Sequence, residues 1–360
     1  MTEDHGRAEG LERLGRSFPG AEAATPTAHR DPPPWVGVVA NRGSGSGQAR
    51  RAADRFCRAL ESRGLAARVA WTPEERSLLV RAGALDPACR CLTAIGGDGT
   101  FASLINENPT VPLAILPTGT ENLAARHFGS KCDPVALARR IATAEPIPID
   151  LGLAQGRRFV LMAGFGFDGD VVTRHHRSRV SHAGRIRPTH RMAYVQPILE
   201  SSFSYPFSTI TVQVLDPGRE QTLHGTTVFI FNLPRYALGL PFAPQARGDD
   251  GWLDLLIFRE PGPFQAFYYL CKVFLGCHLG DPGVTHLRVK KVVVAADRSI
   301  PVQLDGDPAG FLEPTDPTGP NGLEPAGWTI EVLPAAARVY SGDLKQSSTP
   351  VALAVEAGKR

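Results

Sequence analysis

Gly96-Gly97-Asp98-Gly99-Thr100 is the stretch that decides the fold. It follows residues 91–95, a short apolar run that predicts a buried strand. A glycine-rich turn after a buried strand lets backbone N–H groups approach an anion closely, because no Cβ atom stands in the way. A carboxylate beside phosphates is useful where a Mg²⁺ lies between them or where a proton is moved. The stretch therefore predicts a nucleotide-phosphate site, and the alternative is a tight turn that carries an aspartate.

Two further glycine-rich turns follow apolar runs in the same half of the chain. Residues 35–40 run into Asn41-Arg42-Gly43-Ser44-Gly45, and residues 112–116 run into Pro117-Thr118-Gly119-Thr120-Glu121-Asn122. Helices are predicted at about 48–63, 73–84, 101–108 and 121–128, between strands at 35–40, 65–71, 91–95 and 112–116. Nearly apolar strands that alternate with helices are typical of a doubly wound parallel sheet covered on both faces. Ligands of such α/β sheets bind at the carboxyl ends of the strands, where all three turns lie.

The second half of the chain has a different pattern. Short alternating stretches, separated by Gly, Pro, Asp and Asn, predict an antiparallel β-sandwich-like domain that one helix at about 262–278 interrupts. We therefore expect a disordered segment at 1–33, an α/β nucleotide-binding domain at 34–150 and a β-rich domain at 151–325. A return segment at 326–340 would pack on the first domain, and 341–360 would be a polar tail. The active site is expected in the cleft between the two domains.

Composition excludes few classes of protein. The formal net charge of +3 over 360 residues says little about partners. No apolar run reaches the roughly 18 residues of a membrane span, and the N-terminus carries acids instead of an apolar signal core. Scattered cysteines without metal or redox spacing predict reduced thiols. These features predict a cytoplasmic protein.

Several segments, in this order along residues 35–340, resemble the diacylglycerol-kinase catalytic family, which includes bacterial lipid kinases and the sphingosine kinases. They are the three turns quoted above, Ile149-Asp150-Leu151-Gly152, Gly164-Phe165-Gly166-Phe167-Asp168, residues 246–254 (ARGDDGWLD) and residues 302–307 (VQLDGD). The resemblance implies a nucleotide domain, a β-rich lipid-side domain and a site between them. It also implies transfer of the γ-phosphate of ATP, with Mg²⁺, to a hydroxyl of a diacylglycerol-like or sphingoid-like lipid.

The same resemblance implies a set of nucleotide-binding residues. Thr72 is equally well explained as the N-cap of the helix that begins at Pro73, and Thr120 as the N-cap of the helix at 121–128. The full set is Asn41, Arg42, Gly43, Ser44, Gly45, Thr72, Gly96, Gly97, Asp98, Gly99, Thr100, Thr120, Glu121 and Asn122.

Asp305, Asp307 and Asp98 are the candidate catalytic residues. Two acids around a glycine place both carboxylates near one turn, where one pKa can rise and suit proton acceptance; the alternative is an ordinary Asp-Gly hairpin. Asp98 would either orient a metal or act as the base. The family usually has Glu at the position of Asp307, and the Glu side chain is one methylene longer than that of Asp.

Asp250 lies in a turn that resembles the family's structural Mg²⁺ site. Backbone carbonyls of Arg247 and Trp252 would complete the shell, since carboxylate and carbonyl oxygens suit this ion. The alternative is a turn carboxylate that caps backbone N–H groups.

The chain departs from the family pattern after the GGDGT stretch, because Ala102 and Ser103 stand where Asn-Glu is usual. A pseudo-kinase that binds nucleotide or lipid without turnover is therefore one alternative. A kinase for a soluble acceptor such as NAD is another.

Six arginines, four histidines and no acid lie between Arg174 and Arg191. This stretch is either a solvated loop or a surface that binds anionic membrane headgroups, which would make membrane association peripheral and reversible. The absence of interleaved aromatic residues argues against nucleic acid as a partner. A second copy of the chain, in a homodimer, is the remaining candidate partner, and the sequence does not fix the oligomeric state. The helix at 262–278 is apolar over a wide arc, so it either packs in the core or lines an acyl-chain cleft.

Overall fold

The computed structural model describes residues 33–41, 48–179, 195–314 and 327–342. Predictions that concern residues 1–32, 42–47, 180–194, 315–326 and 343–360 lie outside the described residues. These include the predicted N-terminal disordered segment up to residue 32, Arg42 to Gly45, the polar tail beyond residue 342, and most of the basic stretch.

The first part of the chain alternates strands and helices, as the sequence predicts. The strands are β1 (Trp35–Ala40), β2 (Ala66–Ala70), β3 (Cys89–Gly96), β4 (Leu113–Pro117) and β5 (Ile147–Ala154). The helices are α1 (Gln48–Glu61), α2 (Pro73–Leu85), α3 (Asp98–Ile105), α4 (Leu123–His127) and α5 (Pro134–Thr143). The third helix begins three residues earlier than expected, so Asp98 to Thr100 form its first turn rather than a loop.

The second part is mostly strands. They are β6 (Arg157–Phe159), β7 (Met162–Gly166), β8 (Ile210–Asp216), β9 (Arg219–Gly225), β10 (Thr227–Phe231), β11 (Leu253–Phe258), β12 (Val284–Val289), β13 (Lys291–Ala296), β14 (Ile300–Leu304), β15 (Asp307–Leu312) and β16 (Trp328–Val339). Three helices accompany them: α6 (Phe167–Arg179), α7 (Val195–Ser204) and α8 (Pro263–Phe274).

Two sheets organise these strands. In the first, β2, β1, β3 and β4 are parallel, and the sheet continues through β16, β13, β8 and β9. Strand β5 also pairs with β16, and β6 pairs with β5. The second sheet is antiparallel, in the order β12-β11-β10-β7-β14-β15. The fold class predicted from the sequence is confirmed, and the sheet of the nucleotide domain is mixed because its parallel part continues into antiparallel strands.

Three apolar cores hold the layers together. Phe56 and Ile141 bring α1 and α5 onto one face of the parallel strands, while Leu79 and Phe101 bring α2 and α3 onto the other. The third core lies between the two sheets and is filled mostly by valine, isoleucine and leucine from strands, including Ile230. These layers leave the carboxyl ends of β3 and β4 facing the second half of the chain. None of the helices in the described part of the chain is long and apolar enough to cross a membrane.

Candidate active site

The GGDGT stretch joins β3 to α3 without a loop. Gly96 is the last residue of β3, Gly97 is the N-cap of α3, and Asp98 is its first helical residue. A Cβ atom on Gly96 would collide with Thr100 Oγ1, which explains a glycine at that position. The first N–H groups of a helix have no partner within the helix, and they carry partial positive charge. The start of α3 is therefore suited to an anion.

Asp98 connects this turn to the next one. Its Oδ2 accepts a hydrogen bond from the Leu123 N–H and its Oδ1 accepts one from the Ala124 N–H, both at 2.9 Å. These are the first N–H groups of α4, so the carboxylate caps that helix from another part of the chain. Burial raises the pKa of Asp98, and the two N–H donors oppose that rise. Both oxygens are thus engaged within the protein.

The Pro117–Asn122 turn is held by Asn122. Its side chain accepts from the Gly119 N–H at 3.0 Å and donates to the Gly119 carbonyl at 2.7 Å, and its own φ is 51°. Gly119 packs against Gly97 so closely that a Cβ atom on Gly119 would lie 2.6 Å from Gly97 Cα. The two turns therefore form one glycine-lined surface. The N-cap of α4 is Asn122, so the alternative reading of Thr120 as that N-cap is wrong.

Asp305 is the anchor of the LDGD turn between β14 and β15. Its carboxylate accepts three hydrogen bonds, from the N–H groups of Val160 (2.8 Å), Leu161 (2.7 Å) and Met162 (3.1 Å). Burial raises the pKa of Asp305 to about 7, against the effect of these donors and with a contribution from the Asp98 charge. Asp305 has a φ of 54°, which the fixed carboxylate stabilises.

Asp307 lies two residues further along and is exposed to the cleft. A Cβ atom on Gly99 would lie 3.3 Å from Asp307 Oδ2, so the carboxylate reaches the first turn of α3. Asp305 fixes the turn, and Asp307 projects from it toward the glycine-lined surface.

A single cavity of about 1200 Å³ joins these groups to an apolar region. At one end it is lined by Gly97, Asp98, Gly99, Thr100, Thr120, Glu121, Asn41, Asp305 and Asp307. Towards the other end its walls are aromatic and aliphatic, including Phe229, Phe242, Phe258, Phe264, Phe267, Leu270 and Val273. A polar end and an apolar end in one space are suited to an amphiphilic ligand.

Asp168 is a site residue that the sequence analysis did not single out, although it ends one of the quoted motifs. It lines the cavity, and its Oδ2 accepts from Gln303 Nε2 at 2.7 Å and from the Tyr236 hydroxyl at 3.3 Å. Burial raises its pKa to about 7, and these two donors oppose the rise. A carboxylate with a strongly shifted pKa in a cavity is a functional candidate. The usable signal was an acid two residues after the apolar strand β7, in the first turn of α6.

Ten of the predicted nucleotide residues are described by the structure, and seven of these line the cavity: Asn41, Gly97, Asp98, Gly99, Thr100, Thr120 and Glu121. Asn122 and Gly96 stand behind the glycine-lined surface as supports, as described above. Thr72 does not line the cavity. It caps α2 in a full capping box, in which Thr72 Oγ1 accepts from the Glu75 N–H at 3.2 Å and the Glu75 carboxylate accepts from the Thr72 N–H at 3.1 Å.

Comparisons with known proteins match both halves of the chain. Residues 36–154 match the family model described as the diacylglycerol kinase catalytic domain, and residues 163–341 match the YegS C-terminal NAD kinase beta sandwich-like domain. A protein of Pseudomonas aeruginosa (strain UCBPP-PA14), named "Probable lipid kinase YegS-like", is 33% identical over 258 residues, which are 68% of this chain and 79% of the relative. The chain belongs to the diacylglycerol kinase family.

Further relatives carry the family's name. A diacylglycerol kinase of Mycobacterium tuberculosis (strain H37Rv) is 28% identical over 282 residues, which are 76% of this chain and 88% of the relative. The crystal structure of a diacylglycerol kinase from Bacillus anthracis shares the fold, with a TM-score of 0.59 at 17% identity over 87% of this chain and 99% of that one. Membership makes the chain a phosphotransferase with an alcohol group as acceptor.

The turn that resembles the family's structural Mg²⁺ site is occupied by a side-chain cation. Asp250 Oδ1 accepts from the Trp252 N–H at 3.2 Å, and its Oδ2 forms an ion pair with the Arg288 guanidinium. That guanidinium also lies 5.4 Å from the Trp252 ring centroid. In the described ranges no three His, Cys, Asp or Glu side chains are arranged so that they could hold a metal ion by themselves. The metal site with Asp250 and the Arg247 and Trp252 carbonyls stays a prediction, and a Mg²⁺ there would have to displace the Arg288 guanidinium from Asp250 Oδ2.

Proposed function

We propose that the protein is an ATP- and Mg²⁺-dependent lipid kinase that transfers the γ-phosphate to a hydroxyl of a diacylglycerol-like or sphingoid-like lipid. The observation that carries the proposal is the cavity of about 1200 Å³, which runs from the glycine-lined surface to an apolar region. Typical small-molecule sites have volumes of roughly 300–1000 Å³, so this one is large enough for a ligand with a hydrocarbon chain.

ATP fits the end formed by the two glycine turns. Gly97 and Gly119 present bare backbone at the surface, and the N-terminal, positive end of the α3 dipole lies there. The residues that would hold the triphosphate are Asn41, Gly97, Gly99, Thr100 and Thr120. When bound, the nucleotide supplies the phosphoryl group and its Mg²⁺ neutralises charge on that group.

Asp307 is the group best placed to take the proton of the acceptor hydroxyl. Both oxygens of Asp98 and both oxygens of Asp305 accept backbone hydrogen bonds, which gives these carboxylates a structural role. Asp307 is exposed to the cleft and reaches the first turn of α3. In the proposed step, the hydroxyl donates its proton to the Asp307 carboxylate and its oxygen forms a bond to the γ-phosphorus. The bond between that phosphorus and the bridging oxygen breaks, which gives a phosphorylated lipid and ADP.

The apolar region would hold the hydrocarbon part of the acceptor. Phe229, Phe242 and Phe258 form a continuous aromatic wall, with ring centroids 5.4 to 5.7 Å apart. Asp168 and the Tyr236 hydroxyl are polar groups within the same cavity and would contact the acceptor's headgroup. The proposed protein is cytoplasmic, and a lipid acceptor would make its membrane association peripheral and reversible.

Transfer of labelled γ-phosphate from ATP tests the proposal. The protein is incubated with Mg²⁺ and either a panel of diacylglycerols and sphingoid bases in mixed micelles, or NAD in detergent-free buffer. We expect a labelled lipid and no labelled NAD. Labelled NAD alone would refute the lipid assignment.

Two alternatives rest on specific observations. The NAD-kinase-like acceptor is suggested by the description of the matched C-terminal domain. The pseudo-kinase is suggested by Ala102 and Ser103. Ser103 lines the cavity and its hydroxyl donates to the Gly99 carbonyl at 2.8 Å, so it supports the backbone of the first turn without supplying a carboxylate. ATP binding without transfer to any acceptor would favour the pseudo-kinase.

A further inference from the structure

Helix α8 presents an unusual surface for a helix in water. It begins after Gly262, which has a φ of 108°, with Pro263 in the first turn, and it is terminated by Gly276, which has a φ of 69°. Two of its side chains, Tyr269 and Val273, are buried and fix the helix to the body of the protein. The outer side of a surface helix is normally polar, because apolar side chains gain by leaving water.

The outer side of α8 is instead aromatic and aliphatic. The exposed fractions are 86% for Phe264, 69% for Phe267, 73% for Phe274 and 73% for Leu275. These positions are spaced by three, seven and one residues, so they lie along one side of the helix. Phe203 of α7, which packs against α8, is 76% exposed and extends the same surface. We call Phe203, Phe264, Phe267, Phe274 and Leu275 the α8 face. Contiguous exposed apolar groups of this kind mark an interaction surface.

The charges around the α8 face are those that a bilayer surface favours. Residues 261–280 contain no acid, and Lys272 is the one charged residue of α8. Lys272 lies 3.4 Å from Asp281, so the two charges balance each other. On the other side, α7 packs against α6, whose last turns carry an exposed Arg177 and a half-buried His176. Arg174 of the same helix is paired with Asp170, and His175 is buried. A short apolar helix face beside cations matches a helix that lies in the plane of an anionic membrane surface.

The cavity opens at the same place. Phe203, Phe264 and Phe267 are lining residues of the cavity as well as exposed groups, whereas Phe274 and Leu275 are exposed without lining it. A lipid at this opening would pass from a bilayer into the cavity without crossing water.

We propose that the α8 face inserts into the surface of a lipid bilayer and docks the cavity opening on the membrane. The occupant is a membrane surface, and anionic headgroups beside the exposed Arg177 of α6 complete the contact. The inference rests on the proposed lipid kinase function for its purpose, but the docking itself can be measured without phosphoryl transfer.

Phe274→Gln/Leu275→Gln is the test variant, because these two side chains belong to the α8 face and lie outside the cavity. Leu78→Gln/Leu85→Gln on α2 is the matched control, since those leucines are 62% and 85% exposed and lie on the nucleotide domain. Binding is measured by flotation with vesicles of phosphatidylcholine and phosphatidylglycerol, free of any acceptor lipid. Thermal unfolding confirms that both variants fold.

We expect the α8 variant to lose vesicle affinity by about tenfold or more, equivalent to about 1.4 kcal/mol, while the control binds as wild type does. Transfer to a short-chain, water-soluble diacylglycerol should be unchanged in the α8 variant. Equal vesicle binding by wild type and the α8 variant would overturn the proposal. So would a change in oligomeric state, measured by sedimentation, without a change in vesicle binding, because the face would then be a contact between copies. Normal α8-dependent binding without transfer to any lipid would refute the proposed function and leave the docking proposal standing.

Discussion

Replacement of Asp98 by asparagine should destabilise the protein because of how its two oxygens are used. Oδ1 and Oδ2 each accept one N–H of α4. An amide retains one acceptor oxygen and turns an NH₂ group toward the other N–H, so one bond is lost and two donors face each other. A hydrogen bond to a charged group contributes about 1.5–3 kcal/mol, and a buried unsatisfied donor costs about 1–3 kcal/mol. We expect Asp98→Asn to lower the free energy of unfolding by about 2–4 kcal/mol.

Asp133→Asn is the matched control. Asp133 caps α5 with Oδ1 alone, which accepts from both Val135 N–H and Ala136 N–H at 3.0 Å, so an amide oxygen can make both bonds. Asparagine is as good an N-cap as aspartate, and we expect a change within about 0.5 kcal/mol. Urea unfolding is measured at about pH 8, because burial raises the pKa of Asp98 and the carboxylate must be ionised.

The reasoning also predicts a consequence for activity. The Asp98 bonds hold α4 and its preceding turn against α3, so Asp98→Asn should weaken nucleotide binding while Asp133→Asn should not. A variant Asp98→Asn that unfolds at the wild-type urea concentration would refute the capping argument. An equal loss of stability in Asp133→Asn would refute it as well, since the two carboxylates differ in the number of oxygens they use.

Three other predictions follow from the site. Asp307→Asn should lower kcat for transfer by about 10²–10⁴-fold and leave urea unfolding unchanged, because the Asp307 carboxylate is exposed. Asp305→Asn should also lower the free energy of unfolding, because the Asp305 carboxylate accepts three backbone hydrogen bonds. Equal losses of unfolding free energy in the two variants would contradict this division of roles. Asp168→Asn should become more stable relative to wild type as pH rises from about 4 to about 7. The pKa of Asp168 is higher in the folded protein than in the unfolded chain, so ionisation of the carboxyl destabilises the wild type over this pH range. The difference in unfolding free energy between variant and wild type, measured with urea, should grow by at most about 4 kcal/mol. A difference that does not change with pH would contradict the prediction. Gly119→Ala should reduce both ATP affinity and stability, measured by calorimetry, because the new Cβ atom would collide with the Gly97 backbone. Gly280→Ala is the control and should change neither quantity, since a Cβ atom at Gly280 has no neighbour within 4 Å. Equal effects of the two substitutions would refute the argument from close approach.

Much of the fold could be predicted because its signals are local. Apolar strands followed by glycine turns give the parallel sheet, and Thr72-Pro73-Glu74-Glu75 gives a capping box that the structure contains in full. The first turn of α3 was harder to predict, because glycines at a helix start resemble those of a loop. Asn122 as the N-cap of α4 was missed for a related reason, since its φ of 51° and the cap from Asp98 depend on a contact 25 residues away.

The sequence predicted which residues form the candidate site better than it predicted how their side chains interact. The motifs bring Asp98, Asp305 and Asp307 into one cavity, as expected for turns at strand ends. The difference between an anchored Asp305 and a projecting Asp307 depends on three backbone N–H groups some 145 residues earlier, which no local pattern reveals. The ion pair between Arg288 and Asp250 could not be predicted from the sequence either, because it depends on the pairing of β11 with β12 across a long connection.

Lipid phosphorylation by wild type and Asp307→Asn side by side tests the central claim most directly. Labelled γ-phosphate transfer from ATP to long-chain diacylglycerol and sphingoid base is measured in mixed micelles, with ATP binding measured on the same preparations. The proposed mechanism predicts a labelled lipid with wild type, its loss by at least about 10²-fold with Asp307→Asn, and equal ATP binding. Unlabelled lipids with wild type, or full transfer by Asp307→Asn, would contradict it.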